Sequence, residues 1–300
     1  MKKNLLFIVC LTLFAMAWGS AFSWAADPVV VNPKAKFPEG PVMIGHLLYY
    51  AEYGGHTVTT WDGKENKVFW KQDGCGPSAV VPYGKGFLVT CYDSGSIVEI
   101  SAQGKTVRKW DKAPDGKPLL GPNDFTPDKK GGVYFSASGP WESDPIVGKI
   151  FHIDAKGNLK EVAANLHYAN GLALTADGKI LFCVESEAAR IIQFKVAPDG
   201  SLSDRRLFIR IGQVDEKSGP YAYPDGIKLD SKGNLWIGHY SQGRILVVNP
   251  KKKLIASYDV PSPASPNLCF GPGEKVIYVM AVDDVKNPPY MGKVYKVKVK

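Results

Sequence analysis

The feature that most constrains this chain is a pattern that recurs six times along it. Each copy contains a small polar residue, a short apolar segment, a Gly-containing turn and a second apolar segment rich in aromatic residues. The equivalent polar positions are 39, 45, 47, 55 and 42 residues apart, and they are occupied by Glu39, Ser78, Asn123, Asn170, Asp225 and Asn267. A repeat of this length with several short strands per unit is typical of β-propellers. The sequence therefore predicts an all-β, six-bladed β-propeller.

Composition and the chain ends agree with this prediction. The chain contains 31 Gly and 22 Pro, 45% hydrophobic residues and 11% aromatic residues, which favours short strands with tight turns and excludes disorder. No low-complexity linker interrupts the repeat, so residues 26–300 are predicted to form a single domain. Residues 294–300 alternate apolar and basic side chains, as a strand with one solvated face does. We expect this strand to complete a blade with residues near 28–38, its lysines protecting an edge or surface.

Residues 1–25 have the order of a secretory signal peptide. Lys2 and Lys3 precede an apolar run from Leu5 to Trp18, and the small residues Ser23 and Ala25 follow it, which favours cleavage after Ala25. The alternative is a membrane anchor, but the run is shorter than the roughly 20 residues that span a bilayer. We expect a secreted or periplasmic protein with no stable membrane anchor after cleavage.

Charge and cysteine content narrow the partners and the compartment. The net charge of +8 becomes +6 when the signal peptide and its two lysines are removed, and the remaining lysines are scattered, which does not indicate nucleic-acid binding. Cys75 and Cys91 are placed symmetrically about the turn at residues 82–85. They are interpreted either as a disulfide across a hairpin or as two buried thiols. Cys183 and Cys269 lie in separate repeats and are not expected to pair.

The equivalent polar residues predict a metal site. The first strand of each propeller blade lines the central channel, so these six residues should form a ring around one axis. Two carboxylates and three carboxamides suit a hard cation such as Ca²⁺, Mg²⁺ or Mn²⁺, and Zn²⁺ is not excluded. The alternative is that the Asn-Gly and Asp-Gly pairs are ordinary turn dipeptides. Recurrence in one slot of the repeat favours the metal site.

Four segments resemble the regucalcin/gluconolactonase family: residues 39–41, 122–124, 169–179 and 224–236. The resemblance spans nearly the whole chain after the signal peptide. It implies a six-bladed propeller that holds a divalent cation in the channel, with Ca²⁺ as the first candidate. It also implies hydrolysis of lactones or, in relatives, of organophosphates and other esters. It also implies that Glu39, Asn170 and Asp225 are metal ligands, and that Asn123 is a fourth ligand or a substrate contact. Asp225 would also act as general base or nucleophile, and Asp124 would support the ligands from behind.

One departure from the family pattern concerns the substrate. Sugar-lactone hydrolases of the family often carry Arg just before the Asn-Asp pair, whereas this chain has Leu120, Gly121 and Pro122 there. This weakens an assignment to sugar acids.

Several other residues are weaker candidates. Trp141 and Glu142, in a loop after a second strand, are candidate substrate contacts, with exposed loop residues as the alternative. His167 and His239 are candidate proton carriers, with polar packing as the alternative.

The predicted function is that of an exported, metal-dependent hydrolase of lactones or esters, acting as a monomer on a small molecule. The alternative is a propeller that binds a metal or ligand without catalysis.

Overall fold

Six four-stranded antiparallel sheets form the six-bladed β-propeller predicted from the repeat. The computed structural model describes residues 28–219 and 222–299, so the predicted signal peptide lies outside the described residues. Neighbouring sheets meet through their innermost strands, which contact one another in a closed cycle around the axis.

The strands follow chain order within each of the first five blades. The first blade consists of β2 (Pro38–Ile44), β3 (Leu47–Glu52), β4 (Thr57–Trp61) and β5 (Asn66–Lys71). The second consists of β6 (Pro77–Tyr83), β7 (Gly86–Cys91), β8 (Ser96–Ile100) and β9 (Thr106–Trp110). The third consists of β10 (Pro122–Pro127), β11 (Val133–Ala137), β12 (Gly148–Ile153) and β13 (Leu159–Leu166). The next two consist of β14 (Ala169–Leu174), β15 (Ile180–Glu185), β16 (Arg190–Val196) and β17 (Leu202–Arg210); and β18 (Pro224–Leu229), β19 (Leu235–His239), β20 (Arg244–Val248) and β21 (Leu254–Asp259).

The last blade joins the two ends of the chain. It contains β22 (Leu268–Phe270), β23 (Val276–Val282) and β24 (Met291–Lys298), with β1 (Val29–Lys36) as its outermost strand. β1 pairs antiparallel with β24 from Val29 opposite Lys296 to Lys36 opposite Met291. This confirms the predicted pairing of the chain ends. The lysines of β24 do not protect an edge, because β1 covers that side, and the Lys296 ammonium lies 5.9 Å from the ring centroid of Trp61.

The helices are short and lie outside the sheets. The α-helix α1 (Ile211–Val214) follows β17, and the 3₁₀ helices are Tyr53–Gly55, Glu216–Ser218, Tyr240–Gln242 and Pro272–Glu274. Within the described residues, no helix is long and apolar enough to cross a membrane.

The hydrophobic core lies between the faces of neighbouring sheets. Between the second and third blades, for example, Leu88 and Ile97 pack with Phe125, Phe135 and Phe151, and all five are buried. This packing needs an apolar residue at alternate strand positions, which is the origin of the repeat in the sequence. Each blade is therefore stabilised mainly by its neighbours, so closing the ring with β1 completes the last interface.

Cys75 and Cys91 form a disulfide, with their Cα atoms 4.6 Å apart. Cys91 ends β7, whereas Cys75 lies two residues before β6 and the register partner of Cys91 is Pro77. Cys183 and Cys269 are free and buried, as expected.

Candidate functional site

The polar positions of the repeat coincide with irregularities in the innermost strands. In each of the first five blades the pairing register of the inner strand shifts at or beside this position, for example between Ala169 and Leu172 and between Pro224 and Ile227. A bulge turns a side chain away from the direction that a regular strand would give it. The bulges thus direct the side chains of Glu39, Ser78, Asn123, Asn170 and Asp225 into one cavity.

The Gly that follows several of these residues is required by close packing, not by a turn. A Cβ on Gly226 would lie within 2.1–2.3 Å of the Asn267 carboxamide, and a Cβ on Gly171 would lie 2.3 Å from the Asp225 backbone oxygen. The Asn-Gly and Asp-Gly pairs therefore lie inside strands, where the missing side chain lets the next blade approach.

The cavity has a volume of about 500 Å³ and a polar floor beneath an aromatic wall. The floor contains the five residues named above. We call the aromatic wall the collar; it consists of Phe37, Tyr53, Tyr92, Trp141, Tyr168, Tyr223, Tyr240 and Tyr290. Among the described lining residues, Glu39 and Asp225 carry the carboxyl groups and none is basic, so the acidic residues of the cavity lie at its floor.

The two floor carboxylates, a buried one on Glu39 and a half-buried one on Asp225, lie close enough to influence one another. Glu39 Oε2 accepts hydrogen bonds from the Gly40 backbone N–H at 3.0 Å and from Asn267 Nδ2 at 3.2 Å. Burial, and then the charge of Asp225, raises the pKa of Glu39 well above its usual range. Burial, and then the charge of Asp124, raises the pKa of Asp225 to about 8, against the opposing effects of Asn170 and Lys228. Asn267 therefore contributes as a partner of Glu39 and is not among the residues that line the cavity.

Two serines orient the floor carboxamides. Asn123 Nδ2 donates to Ser138 Oγ at 3.1 Å, and Asn170 Nδ2 donates to Ser186 Oγ at 3.2 Å. Each serine donates in turn to a backbone oxygen of the next blade, at 2.6 Å to Ala169 and at 2.8 Å to Pro224. In the third and fourth blades the serine directly follows the second strand, so the two contacts are repeat-equivalent.

The donor atoms of the floor are of the kind that binds a cation. The side-chain oxygen of Asn170 is buried and has no hydrogen-bond partner, which is costly unless a ligand supplies one. The two carboxylates are held where their charged forms are disfavoured, and a cation would offset this cost. Among the described residues, no group of three or more His, Cys, Asp or Glu could hold a metal. A cation would therefore depend on the carboxamide oxygens as well, a donor set suited to Ca²⁺ or Mg²⁺.

Asp124 lies behind the floor. Its carboxylate is buried, accepts a hydrogen bond from the Phe125 backbone N–H at 2.7 Å and lies 3.5 Å from Lys228 Nζ. Its charge raises the pKa of both Glu39 and Asp225. Asp124 therefore acts on the floor carboxylates through its charge without lining the cavity itself.

The weaker candidates divide into one cavity residue and three others. Trp141 lies in the collar. Outside the lining, the Glu142 backbone N–H bonds to the Glu187 carboxylate, and the His167 backbone N–H bonds to the Glu185 carboxylate at 2.9 Å. His239 is buried with Nε2 3.0 Å from Ser218 Oγ. Burial, and then the Arg244 charge, lowers the pKa of His239 to about 4, so its imidazole is neutral at pH 7.

The sequence did not predict Ser138, Ser186 or any collar residue except Trp141. A signal was present in the repeat. Phe37, Tyr168 and Tyr223 each lie two residues before a floor residue, and Tyr53, Tyr92 and Tyr240 each directly follow the second strand of a blade. In the third and fourth blades, the position directly after the second strand is occupied by Ser138 and Ser186.

Comparison with known proteins agrees with this fold. The model of the SMP-30/gluconolactonase/LRE-like region matches residues 37–283. Lactonase drp35 of Staphylococcus saprophyticus is 28% identical over 263 residues, covering 81% of this chain and 76% of that protein. A structure described as regucalcin, a calcium-binding protein, from Agrobacterium tumefaciens has a TM-score of 0.77 at 17% identity, over 92% of this chain and 94% of that one.

A second solved structure has the same fold. The gluconolactonase of Xanthomonas campestris has a TM-score of 0.74 at 19% identity, over 94% of this chain and 98% of that one. Likeness at these identities concerns the fold, whereas the family match covers most of the chain and includes all the floor positions. The chain belongs to the SMP-30/gluconolactonase/LRE-like family, and its membership supports the role of a lactone hydrolase.

Proposed function

We propose that this protein hydrolyses lactones or related esters in its cavity, with a divalent cation held by Glu39, Asn123, Asn170 and Asp225. The observation that carries the proposal is the unpartnered, buried Asn170 oxygen on the same floor as the buried Glu39 and the half-buried Asp225 carboxylates. Ca²⁺ is the first candidate, and Mg²⁺, Mn²⁺ and Zn²⁺ are the alternatives to test. When bound, such a cation would draw electron density from the lactone carbonyl and stabilise the negative charge that develops on it.

The residues of the chain account for the remaining chemistry. Ser138 and Ser186 hold the Asn123 and Asn170 amide groups so that the carboxamide oxygens are left for the floor. Asn267 holds Glu39, and Asp124 with Lys228 supports the floor from behind. These contacts fix the ligands before substrate enters, which lowers the cost of reorganisation during the reaction.

Asp225 is proposed either to take a proton from water or to form a covalent bond with the substrate. In the first route, Asp225 takes a proton from water while the water oxygen bonds to the carbonyl carbon. The ring C–O bond then breaks, and the proton passes to the leaving oxygen to give a hydroxy acid. In the second route, the Asp225 carboxylate bonds to the carbonyl carbon, the ring C–O bond breaks and the leaving oxygen takes a proton from solvent. Water then attacks the Asp225 carboxyl carbon of the resulting anhydride, which releases the hydroxy acid and returns a proton to solvent. Incorporation of ¹⁸O from labelled water into Asp225 in a single turnover distinguishes the second route.

We also infer that the protein is exported after removal of residues 1–25. The Cys75–Cys91 disulfide supports this, because disulfides persist in oxidising compartments. Intact-mass analysis of protein from the periplasm or the medium should give a chain that begins at Ala26. Recovery of the full-length chain from the cytoplasm alone would reject export.

The activity test is a panel of lactones and aryl esters with chelated protein, to which Ca²⁺, Mg²⁺, Mn²⁺ or Zn²⁺ is returned separately. We expect hydrolysis that depends on the cation and falls at least a hundredfold in Asp225→Asn. Full activity in Asp225→Asn would reject the role of this residue. A protein that binds these compounds without turnover under every cation would instead be a ligand-binding propeller.

A further inference from the structure

The collar is a nearly continuous aromatic surface. Phe37 lies 5.5 Å from Tyr53 and 5.8 Å from Tyr290 between ring centroids, and its ring is stacked on that of Tyr240 at 6.1 Å. On the other side, Trp141 meets Tyr168 at 4.8 Å and Tyr223 at 5.1 Å, both edge to face. Tyr92 joins the two groups, because it lies 6.3 Å from Tyr53 and its hydroxyl accepts a hydrogen bond from Tyr168 at 3.0 Å.

The tyrosine hydroxyls on this surface are partly committed to the protein. The Tyr53 hydroxyl donates to Asp93 at 2.8 Å, the Tyr92 hydroxyl donates to the Gly139 backbone oxygen at 2.9 Å, and the Tyr168 hydroxyl donates to Tyr92. No Lys, Arg or His is among the described residues that line the cavity. At the part of the wall formed by these three tyrosines, a ligand with many hydroxyl groups would lose its hydrogen bonds to water and find few donors in exchange.

The backbone that carries the collar is strained. Phe37, Tyr168 and Tyr290 have φ angles of 50°, 57° and 58°, in the left-handed region that bulky residues rarely occupy. Such strain persists where the surrounding structure requires it, and it concentrates at ligand-binding sites. Three aromatic residues of one cavity in this conformation indicate that the ring positions matter, because a wall needed only for packing could use unstrained residues.

Resting on the function proposed above, we propose that the collar selects lactones or esters that carry a flat, uncharged hydrophobic group, such as an aryl ring, over small or hydroxylated ones. The carbonyl group reaches the floor while the hydrophobic group contacts the collar. The volume of about 500 Å³ lies within the roughly 300–1,000 Å³ of pockets for drug-sized ligands, so it accommodates both parts. Aromatic ligand groups gain from edge-to-face and offset contacts with such a wall.

Trp141 is the residue on which to test this inference. It lies in the loop between β11 and β12, it is 42% exposed, and it contacts two other collar rings. Removing its ring leaves the blades intact. Val68 is a matched control, since it is 63% exposed on the outermost strand of the first blade and lies outside the cavity.

The experiment compares kcat/KM for γ-phenyl-γ-butyrolactone, γ-butyrolactone and α-hydroxy-γ-butyrolactone in the wild type, Trp141→Ala, Trp141→Phe and Val68→Ala. We expect the phenyl compound to be preferred at least tenfold by the wild type. Trp141→Ala should remove about tenfold of its kcat/KM, a clearly larger loss than for either small lactone. Trp141→Phe should retain most of the preference, and Val68→Ala all of it. Equal kcat/KM for the three lactones, or an equal loss for all three in Trp141→Ala, would overturn the proposal and leave the hydrolase function standing.

A binding measurement tests the proposed selectivity of the collar independently of the proposed hydrolase activity. The unreactive lactam 5-phenyl-2-pyrrolidinone is titrated into each protein by calorimetry, with 2-pyrrolidinone for comparison. Tighter binding of the phenyl lactam that weakens about tenfold in Trp141→Ala supports the collar even if no lactone is hydrolysed. Equal affinity for the two lactams, or no binding of either, rejects it.

Discussion

The Asn170 side chain donates a hydrogen bond from Nδ2 to Ser186 Oγ at 3.2 Å, which leaves its carboxamide oxygen buried without a partner. Ser186 also donates to the Pro224 backbone oxygen, directly before Asp225. One serine hydroxyl therefore links Asn170 to the residue that precedes Asp225 in the neighbouring blade. It fixes which end of the Asn170 amide is available to a cation.

Removing the Ser186 hydroxyl should weaken cation binding without unfolding the propeller. Residues behind metal ligands typically contribute about 10–100-fold to affinity, so Ser186→Ala should raise the Kd for the cation about tenfold. Ser265→Ala is the matched control, because Ser265 is also a buried serine but its hydroxyl has no partner. Calorimetric titration of chelated protein measures both variants. Unchanged affinity in Ser186→Ala would mean that its contact with Asn170 is not needed for binding.

A cation should stabilise the folded protein through the same floor. At a cation concentration of about 100 times Kd, binding to the native state alone adds about 2.7 kcal/mol to the free energy of unfolding. This corresponds to roughly 5–10 °C in Tm for a protein of this size. Asp225→Asn and Glu39→Gln should abolish this response.

The same two variants should be at least as stable as the wild type in chelator. Each replaces a carboxylate whose pKa is raised by burial with a neutral amide, which is less costly to remove from water. Glu65→Gln, at a surface carboxylate, is the control and should respond to the cation like the wild type. Scanning calorimetry in chelator and in excess Ca²⁺ provides both comparisons, and an undiminished response in Asp225→Asn would contradict the assignment of the floor as the cation site.

The fold and the floor could be predicted because both depend on the repeat. The first five blades share one register, so the polar residue in their common slot reaches the same cavity, whereas Asn267, in that slot of the last blade, does not line it. The pairing of Asn267 with Glu39 could not be predicted in this way. The two residues are 228 positions apart, and they meet only because the last blade returns to the first.

The collar escaped prediction for a different reason. Its residues come from three structural slots: before the inner strand, after the second strand, and in the loops that contain Trp141 and Tyr290. An aromatic residue in any one of these places is ordinary. The loop conformations that bring the rings together depend on positive φ angles at Phe37 and Tyr290, for which bulky side chains give no local signal.

The Cys75–Cys91 disulfide should contribute measurably to stability. The two residues are 16 apart in sequence, and closing a loop of this length corresponds to about 3 kcal/mol in the chain-entropy description. The free energy of unfolding of the double variant Cys75→Ser, Cys91→Ser should therefore be about 2–4 kcal/mol lower than that of the wild type. The variant should accordingly unfold at a lower urea concentration. The control is the reduced wild type, which should match the double variant, while reductant should leave the double variant unchanged. Equal stability of the oxidised wild type and the double variant would show that the bond does not constrain the unfolded chain.

His239 should make the protein less stable in mild acid. It is buried against Ser218, and burial together with Arg244 lowers its pKa from 6.5 to about 4 in the folded state. Between these two values the unfolded state binds a proton that the folded state does not, so the free energy of unfolding falls as pH decreases through this window. The loss from this residue should reach about 2–3 kcal/mol between pH 7 and pH 4.5.

The test compares urea unfolding of the wild type and His239→Gln at both pH values. The variant has no ionisable group at this position and keeps a polar side chain near Ser218, so its stability should fall less on acidification by about the amount attributed to His239. His46→Gln is the control, since His46 is exposed, and it should follow the wild-type pH dependence. Because every other titrating group is common to the proteins compared, the difference between their slopes isolates His239. Parallel curves for the wild type and His239→Gln would show that the folded protein protonates His239 as readily as the unfolded chain does, which would contradict the lowered pKa.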